Sequence, residues 1–281
     1  MTDGAWTCPT CGATVDSPFC PCCGERRLEA RDLTLRGLFE RIATAVTNVD
    51  RRVMRSVLAL LRHPGELTVA YVTGRRKPYI GPLQVFLLAN VVFFALQSVS
   101  TSNVFGASLD SHLHHQDWQV YARQLVQQRL ADTTMTLASY APKFDRVVEA
   151  NAKSLVILMV VPFALLAWAL FHRRDRPFLA HVTFALHTWA FLLLVYSAAL
   201  VLADANLMLG GPGLESRGVD LALTAMNLLA SGVYVFLAIK PVYGAIGWSR
   251  LARTIAMTAT LQAIVLGYRF VLFLVTVYST T

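Results

Sequence analysis

Charge is what this chain has least of. Only 15% of its 281 residues are Asp, Glu, Lys or Arg, against roughly a quarter in ordinary soluble domains. With 55% hydrophobic residues, that shortage excludes disorder over most of the length and argues against a purely water-soluble fold. Cysteine is missing from nearly the whole chain: all five lie at Cys8, Cys11, Cys20, Cys22 and Cys23. A disulfide framework spreads its cysteines through the fold it staples, so this cluster is a local device. Residues 1–30 lack an apolar run and carry Asp3, Asp16, Glu25, Arg26 and Arg27, so they do not read as a secretory signal. There is no P-loop, G-x-S-x-G, H-E-x-x-H or dinucleotide fingerprint, and the chain does not read as an enzyme of those classes.

Long apolar runs are abundant. Five stand out, at Gly81–Val99, Ser154–Phe171, Val182–Ala203, Leu221–Ile239 and Thr254–Tyr278. Each is close to the roughly 20 residues that span a bilayer as a helix. The expected fold is all-α and polytopic, with about five transmembrane helices. Asn90 and Gln97 interrupt the first span. The basic residues alternate by loop. Arg75, Arg76 and Lys77 precede the first span, Arg173, Arg174 and Arg176 follow the second, and Lys240, Arg250 and Arg253 follow the fourth. Segments 100–153 and 204–220 balance or reverse their charge. Lys and Arg are retained on the cytoplasmic side, which places the N-terminus inside and the C-terminus outside. The formal charge of +8 then reports orientation and contact with anionic headgroups; nucleic acid is a weak expectation. The division expected is 1–27 a zinc ribbon, 28–79 cytoplasmic basic amphipathic helices, and 80–281 the transmembrane domain with an outer loop at 100–153. Trp118, Tyr121 and Leu125 suggest a surface helix within 116–132 of that loop.

The cysteines form two matched halves, Cys8-Pro9-Thr10-Cys11-Gly12 and Cys20-Pro21-Cys22-Cys23-Gly24. Two C-x-x-C pairs at this spacing close a tetrahedral shell, with Cys8, Cys11, Cys20 and Cys23 as ligands and Cys22 spare. The glycines let each knuckle turn back so that backbone N–H groups face the sulfurs. A redox dithiol would sit on a βαβ frame, and none surrounds it. Four protein ligands leave no open position, so the zinc expected here is structural.

Between ribbon and spans, Leu35, Leu38, Phe39, Ile42, Val46, Val49, Val53, Val57 and Leu60 follow helical spacing, with Arg41, Arg51, Arg52, Arg55 and Arg62 opposite. The segment reads either as a helix on the membrane surface or as one packed on the inner ends of the spans. His63-Pro64-Gly65-Glu66 is a turn into a short helix over 66–73, ended by Gly74.

This order of features resembles the bacterial family catalogued as domain of unknown function 3667. The resemblance rests on the cysteine knuckle, on the amphipathic stretch, on Pro64-Gly65, and on Gly74-Arg75-Arg76-Lys77-Pro78-Tyr79-Ile80-Gly81-Pro82. It covers roughly residues 8–98. It implies a bacterial inner-membrane protein with an N-terminal zinc ribbon, and it transfers no catalytic residue. By resemblance, Pro64, Gly65, Gly74, Arg75, Arg76, Tyr79 and Pro82 are the motif in which the family's shared role resides.

Within the spans Arg269 is the costliest residue, and Asp204 and Asp220 are its expected partners. His181 and His187 are six residues apart and point to different faces of a helix. His112, His114 and His115 are read as a solvated cluster, and Asn90, Asn151 and Gln262 as interhelical hydrogen-bond partners. The reading that results is a non-enzymatic scaffold or assembly factor whose ribbon recruits a cytoplasmic protein. The alternatives are a small-solute transporter or channel-like protein with Arg269 near the pathway, and an intramembrane enzyme or sensor.

Overall fold

A computed structural model describes residues 5–28, 51–100, 105–131, 135–172, 176–211 and 217–280, without the side chains of Arg217 and Asp220. The part of the amphipathic segment before Arg51, and the side chain of Asp220, lie outside the described residues. The N-terminal part is a short antiparallel hairpin, β1 (Trp6–Thr7) with β2 (Thr14–Val15), Trp6 standing opposite Val15. The described elements that follow are helical. They are α1 (Arg51–Arg62), α2 (Glu66–Val72), α3 (Pro82–Val99), α4 (Leu109–His114), α5 (Gln119–Ala131), α6 (Leu137–Leu155), a 3₁₀ turn (Val156–Met159), α7 (Val160–Phe171), α8 (Phe178–Met208), α9 (Arg217–Tyr243) and α10 (Gly247–Thr280).

Five helical stretches are long and apolar enough to cross a membrane: Pro82–Val99, Leu137–Phe171, Phe178–Met208, Leu221–Tyr243 and Gly247–Thr280. The chain is a helical, multi-pass membrane protein by this architecture. α8 is the central helix. In its most apolar stretch 67% of residues are buried, against 28% to 44% in the other spans, and it packs on α1, α2, α3, α7 and α9. The outer helices leave Leu87, Val91, Val161, Leu165, Leu229, Val233 and Ile255 exposed. Such a belt is unfavourable in water and natural against acyl chains.

The second span is longer than hydropathy alone indicates. It starts at Leu137 and takes in the last part of the expected outer loop. Tyr140, Phe144, Val148 and Ala152 recur every four residues and are buried, on the side where α6 meets α10, while Arg146 and Lys153 stay exposed. A one-faced stripe has a low average hydropathy, which is why a run-length criterion passes over it. The 3₁₀ turn stands where Pro162 occupies the first turn of α7, because Pro cannot donate to the carbonyl four residues earlier. The described residues 105–131 cap the end of the bundle at which α3 and α8 terminate. Phe105 meets Phe93, Tyr196 and Tyr268 edge-on at 5.1, 5.7 and 5.8 Å, Trp118 lies 5.3 Å from Phe270, and the Lys143 ammonium donates to the Thr280 carbonyl at 2.5 Å.

Several polar groups inside the bundle find partners. Asn151 donates to Thr276 at 3.1 Å, Tyr268 donates to the Ala152 carbonyl at 2.8 Å, and Thr188, Ser197 and Thr254 bond back to carbonyls one turn earlier. The short helix α2 is part of this interior. Thr68 is hydrogen-bonded to His187 Nδ1 at 2.9 Å, with both residues buried. His187 stands nine residues into α8, about 13 Å from its start.

Gly65 makes that insertion possible. Its φ is +89°, and a Cβ there would lie 2.8 Å from the Ala238 carbonyl oxygen and 2.9 Å from Pro241. We expect Gly65→Ala to lower the thermal stability of the detergent-solubilised chain by more than the 1–2 kcal/mol or so of a left-handed residue alone. Gly244→Ala, at φ +70° with nothing within 4 Å, should show only the smaller conformational loss. Equal losses in the two unfolding curves would remove the packing argument.

Candidate metal centre and its junction with the membrane domain

The two cysteine halves fold as matched knuckles. Gly12 N–H donates to the Cys8 carbonyl at 2.8 Å and Gly24 N–H to the Cys20 carbonyl at 2.7 Å. Both glycines have positive φ, +75° and +69°. Cys8 N–H in turn donates to Ala13 and Cys20 N–H to Glu25, at 2.8 and 2.7 Å. The result gathers the sulfurs of Cys8, Cys11, Cys20 and Cys23 within 4.8 Å of one another. Cys8 and Cys20 are 1% and 2% exposed, whereas Cys22 is exposed and stands outside the cluster.

The closest sulfur pairs, Cys8 with Cys23 and Cys11 with Cys20, are 3.4 Å apart, far beyond the 2.05 Å or so of a disulfide. A tetrahedral site with metal–sulfur bonds of about 2.3 Å places its sulfurs about 3.8 Å apart. The four cysteines therefore fit around one metal ion. Backbone donors prepare them for it. Burial alone would raise the Cys20 thiol, but N–H groups of Cys23 and Cys22 and the Cys11 thiol outweigh it and lower it to about 6. For Cys23 the Glu25 N–H favours the thiolate, yet burial and the neighbouring thiols of Cys8, Cys20 and Cys11 push it up to about 12. Four negative sulfurs at this distance need a cation between them.

The centre is tied to the membrane domain by Glu25, a residue that the cysteine spacing does not single out. Its side chain is buried at 4% exposure. Carboxylate oxygen Oε2 accepts from the Thr10 hydroxyl at 2.7 Å, Arg76 N–H at 3.2 Å and Lys77 N–H at 2.9 Å. Thr10 sits between two ligands, and Arg76 and Lys77 lie in the Gly74–Pro82 loop. The contact is close on both sides of the carboxylate. A Cβ on Gly24 would lie 3.1 Å from Lys77 Nζ, and one on Gly74 would lie 3.3 Å from the Leu28 side chain.

The same loop is held from below. Arg75 pairs with Glu66 at 3.0 Å, and the Tyr79 hydroxyl donates to the same Glu66 oxygen at 2.7 Å. Burial first, and that carboxylate second, raise the Tyr79 phenol above its usual range. Arg76 donates through Nε to the Tyr71 carbonyl and stacks 4.4 Å over its ring. Arg52 donates to the Tyr79 carbonyl at 2.9 Å. Buried Ser56 receives Ile80 N–H at 3.0 Å. Gly81 N–H donates to Gln84, and Pro82 opens α3, where a missing donor is harmless. Pro64 and Gly65 set the entry to α2 on the far side of the same junction. The motif residues thus occupy one continuous structural unit. Glu25, Ser56 and the Thr68–His187 pair belong to it too, and no local spacing rule marks them.

Other polar candidates separate. Asp204 accepts from Ser100 at 2.9 Å, tying the C-terminal ends of α3 and α8; among the described residues no ion pair joins it to Arg269. Arg269 lies near His112, which burial, with Arg269 adding to it, lowers to about 4. His112 is thus neutral at pH 7 and accepts from Trp118 Nε1 at 3.3 Å. His114 turns away to Asp110 at 2.9 Å on the surface. His181 bonds to the Tyr243 hydroxyl at 3.1 Å, on another helix from the partner of His187.

Charged hydrogen bonds to a buried carboxylate contribute about 1.5–3 kcal/mol each. Glu25→Gln should therefore speed amide hydrogen exchange at Arg76 and Lys77 while the metal stays bound. Chelation in the unmodified chain should speed the same two amides. Unchanged exchange in both experiments would show that the metal centre does not hold this loop.

No curated protein and no solved structure matches the chain. Residues 50–94 match the model of a family described as Protein of unknown function (DUF3667). The matched segment runs from just before α1 into α3, so it contains the loop that receives Glu25 and the helix pair beneath it. Over that segment the chain is similar to this family of unknown function.

Proposed function

We propose that the chain is a non-enzymatic membrane adaptor whose ribbon presents a fixed binding face to a protein partner. The observation that carries this reading is the Glu25 clamp. A closed four-sulfur centre has no open position for catalysis, and a ribbon held through Glu25 by two hydrogen bonds from a loop at the membrane domain serves to place a surface. That surface includes Phe19, an aromatic side chain 58% exposed. Aromatic residues of this kind are typical anchors at interfaces. Zinc is the metal proposed, since four thiolates in a tetrahedral closed site suit it best.

The adaptor is placed in a bacterial inner membrane with the ribbon on the cytoplasmic side and the C-terminus in the periplasm. Supporting this orientation, basic residues of separate loops gather at the ends of the spans nearest α2. Arg176 donates to the Val242 carbonyl, Arg253 stacks 4.8 Å over Phe171, and Arg250 donates to the Phe236 carbonyl at 2.8 Å. Lys and Arg near span ends mark the cytoplasmic face.

Purified chain should contain about one equivalent of zinc, lost in Cys8→Ser; iron in its place would overturn the metal assignment. Reporter fusions at residues 125 and 178 should report opposite compartments, and the same compartment for both would sink the orientation. A photocrosslinking residue at position 19 should capture one defined polypeptide in cells, and Cys8→Ser should abolish that capture with the membrane domain still folded. Persistence of the adduct in the variant would remove the ribbon from the recruiting role.

A further inference from the structure

α1 turns two different faces to its surroundings. Ser56, Ala59 and Leu60 are buried, and the helix packs on α2, α3 and α8. The opposite face carries Met54, Leu58 and Leu61, all exposed, Met54 at 65%. Their steps of four and three residues make one stripe along the helix. Beside it run Arg51, Arg55 and Arg62. Together with His63 and Tyr79, most of these side chains line an open groove of about 530 Å³.

Two of the arginines in this groove, Arg55 and Arg62, carry charge that no described carboxylate offsets. Glu66 also borders it, but one carboxylate oxygen is taken by Arg75 and Tyr79 at 3.0 and 2.7 Å. Among the described residues no carboxylate pairs with Arg55 or Arg62. The place of the groove is as telling as its charge. Tyr79 stands three residues before α3, and α1 rests on α3 and α8. The groove therefore lies beside the point where the chain enters the apolar layer.

We propose that this groove binds an anionic phospholipid of the bilayer. Arg55 and Arg62 receive the phosphodiester, and the acyl chains lie along Met54, Leu58 and Leu61. Guanidinium groups suit phosphate because their planar forks donate two parallel hydrogen bonds. An apolar strip directly beside them matches the two halves of a lipid, which a soluble anion does not have. The site contains no ribbon residue.

The full-length chain, in a neutral detergent, is to be titrated with dioctanoyl phosphatidylglycerol, dioctanoyl phosphatidylcholine and inorganic phosphate, with bound lipid counted by native mass spectrometry. Two arginines near a membrane surface correspond to roughly tenfold or more in affinity. Phosphatidylglycerol should therefore bind about tenfold more tightly than phosphatidylcholine. Arg55→Gln with Arg62→Gln should bring the two lipids to near equality, and Leu58→Gln should weaken both while keeping their ratio. Equal binding by the unmodified chain, or a preference that survives the double substitution, overturns the proposal. Displacement of phosphatidylglycerol by phosphate at equal concentration identifies a soluble-anion site and overturns it as well. A photocrosslinking residue at position 58 in the otherwise unmodified chain decides the matter even if the double variant fails to fold. A lipid adduct in cells supports the site, and a polypeptide adduct refutes it.

Discussion

The Glu25 carboxylate takes its hydrogen bonds from both halves of the molecule. Thr10, between two cysteine ligands, donates on one side; Arg76 and Lys77, in the loop that opens the first span, donate on the other. A buried carboxylate left with one of these partners would carry a heavy desolvation penalty. The ribbon must therefore be folded, and docked, for the loop to be satisfied. A metal held by the four cysteines would stabilise the ribbon; the ribbon orders the loop, and the loop is wired through Glu66, Tyr79 and Arg52 to α1 and α2. What looks in the sequence like a tethered finger followed by a membrane domain is one connected structure at the membrane end.

The same connectivity explains why the short helix α2 lies so deep. Alone, seven residues are too few for a stable helix. Here its N-terminal glycine fits against the backbone of α9, its Thr68 bonds His187 on the central helix, and its Glu66 gathers Arg75 and Tyr79. Tertiary contacts supply what length does not. The matched family segment begins before α1 and ends inside α3, so its boundaries enclose this junction and exclude both the ribbon and the cap formed by residues 105–131.

Much of the chain was legible residue by residue. The five apolar runs led directly to spans, since only a helix satisfies its own backbone in a bilayer. The two C-P-x-C-G halves specified which four sulfurs come together, because knuckle geometry is local and repeats with the sequence. The α6 extension was not legible, as its buried stripe of Tyr140, Phe144, Val148 and Ala152 is diluted by charged neighbours. Nor was the partner of Asp204, because Ser100 is brought to it by the packing of α3 on α8 rather than by any pattern in the chain.

The sequence by itself determined the helical class, the number of candidate spans and the four sulfurs that cluster. Each follows from forces that act within a short stretch: backbone satisfaction in lipid, and turn chemistry around a metal. Only the tertiary structure decided which residues meet across the molecule. Glu25 meets Arg76 and Lys77 some fifty residues on, Thr68 meets His187, and Gly65 meets Ala238. No local spacing encodes such pairs; they arise from packing several helices at once around α8, and they turn a ribbon and a bundle into a single surface at the membrane.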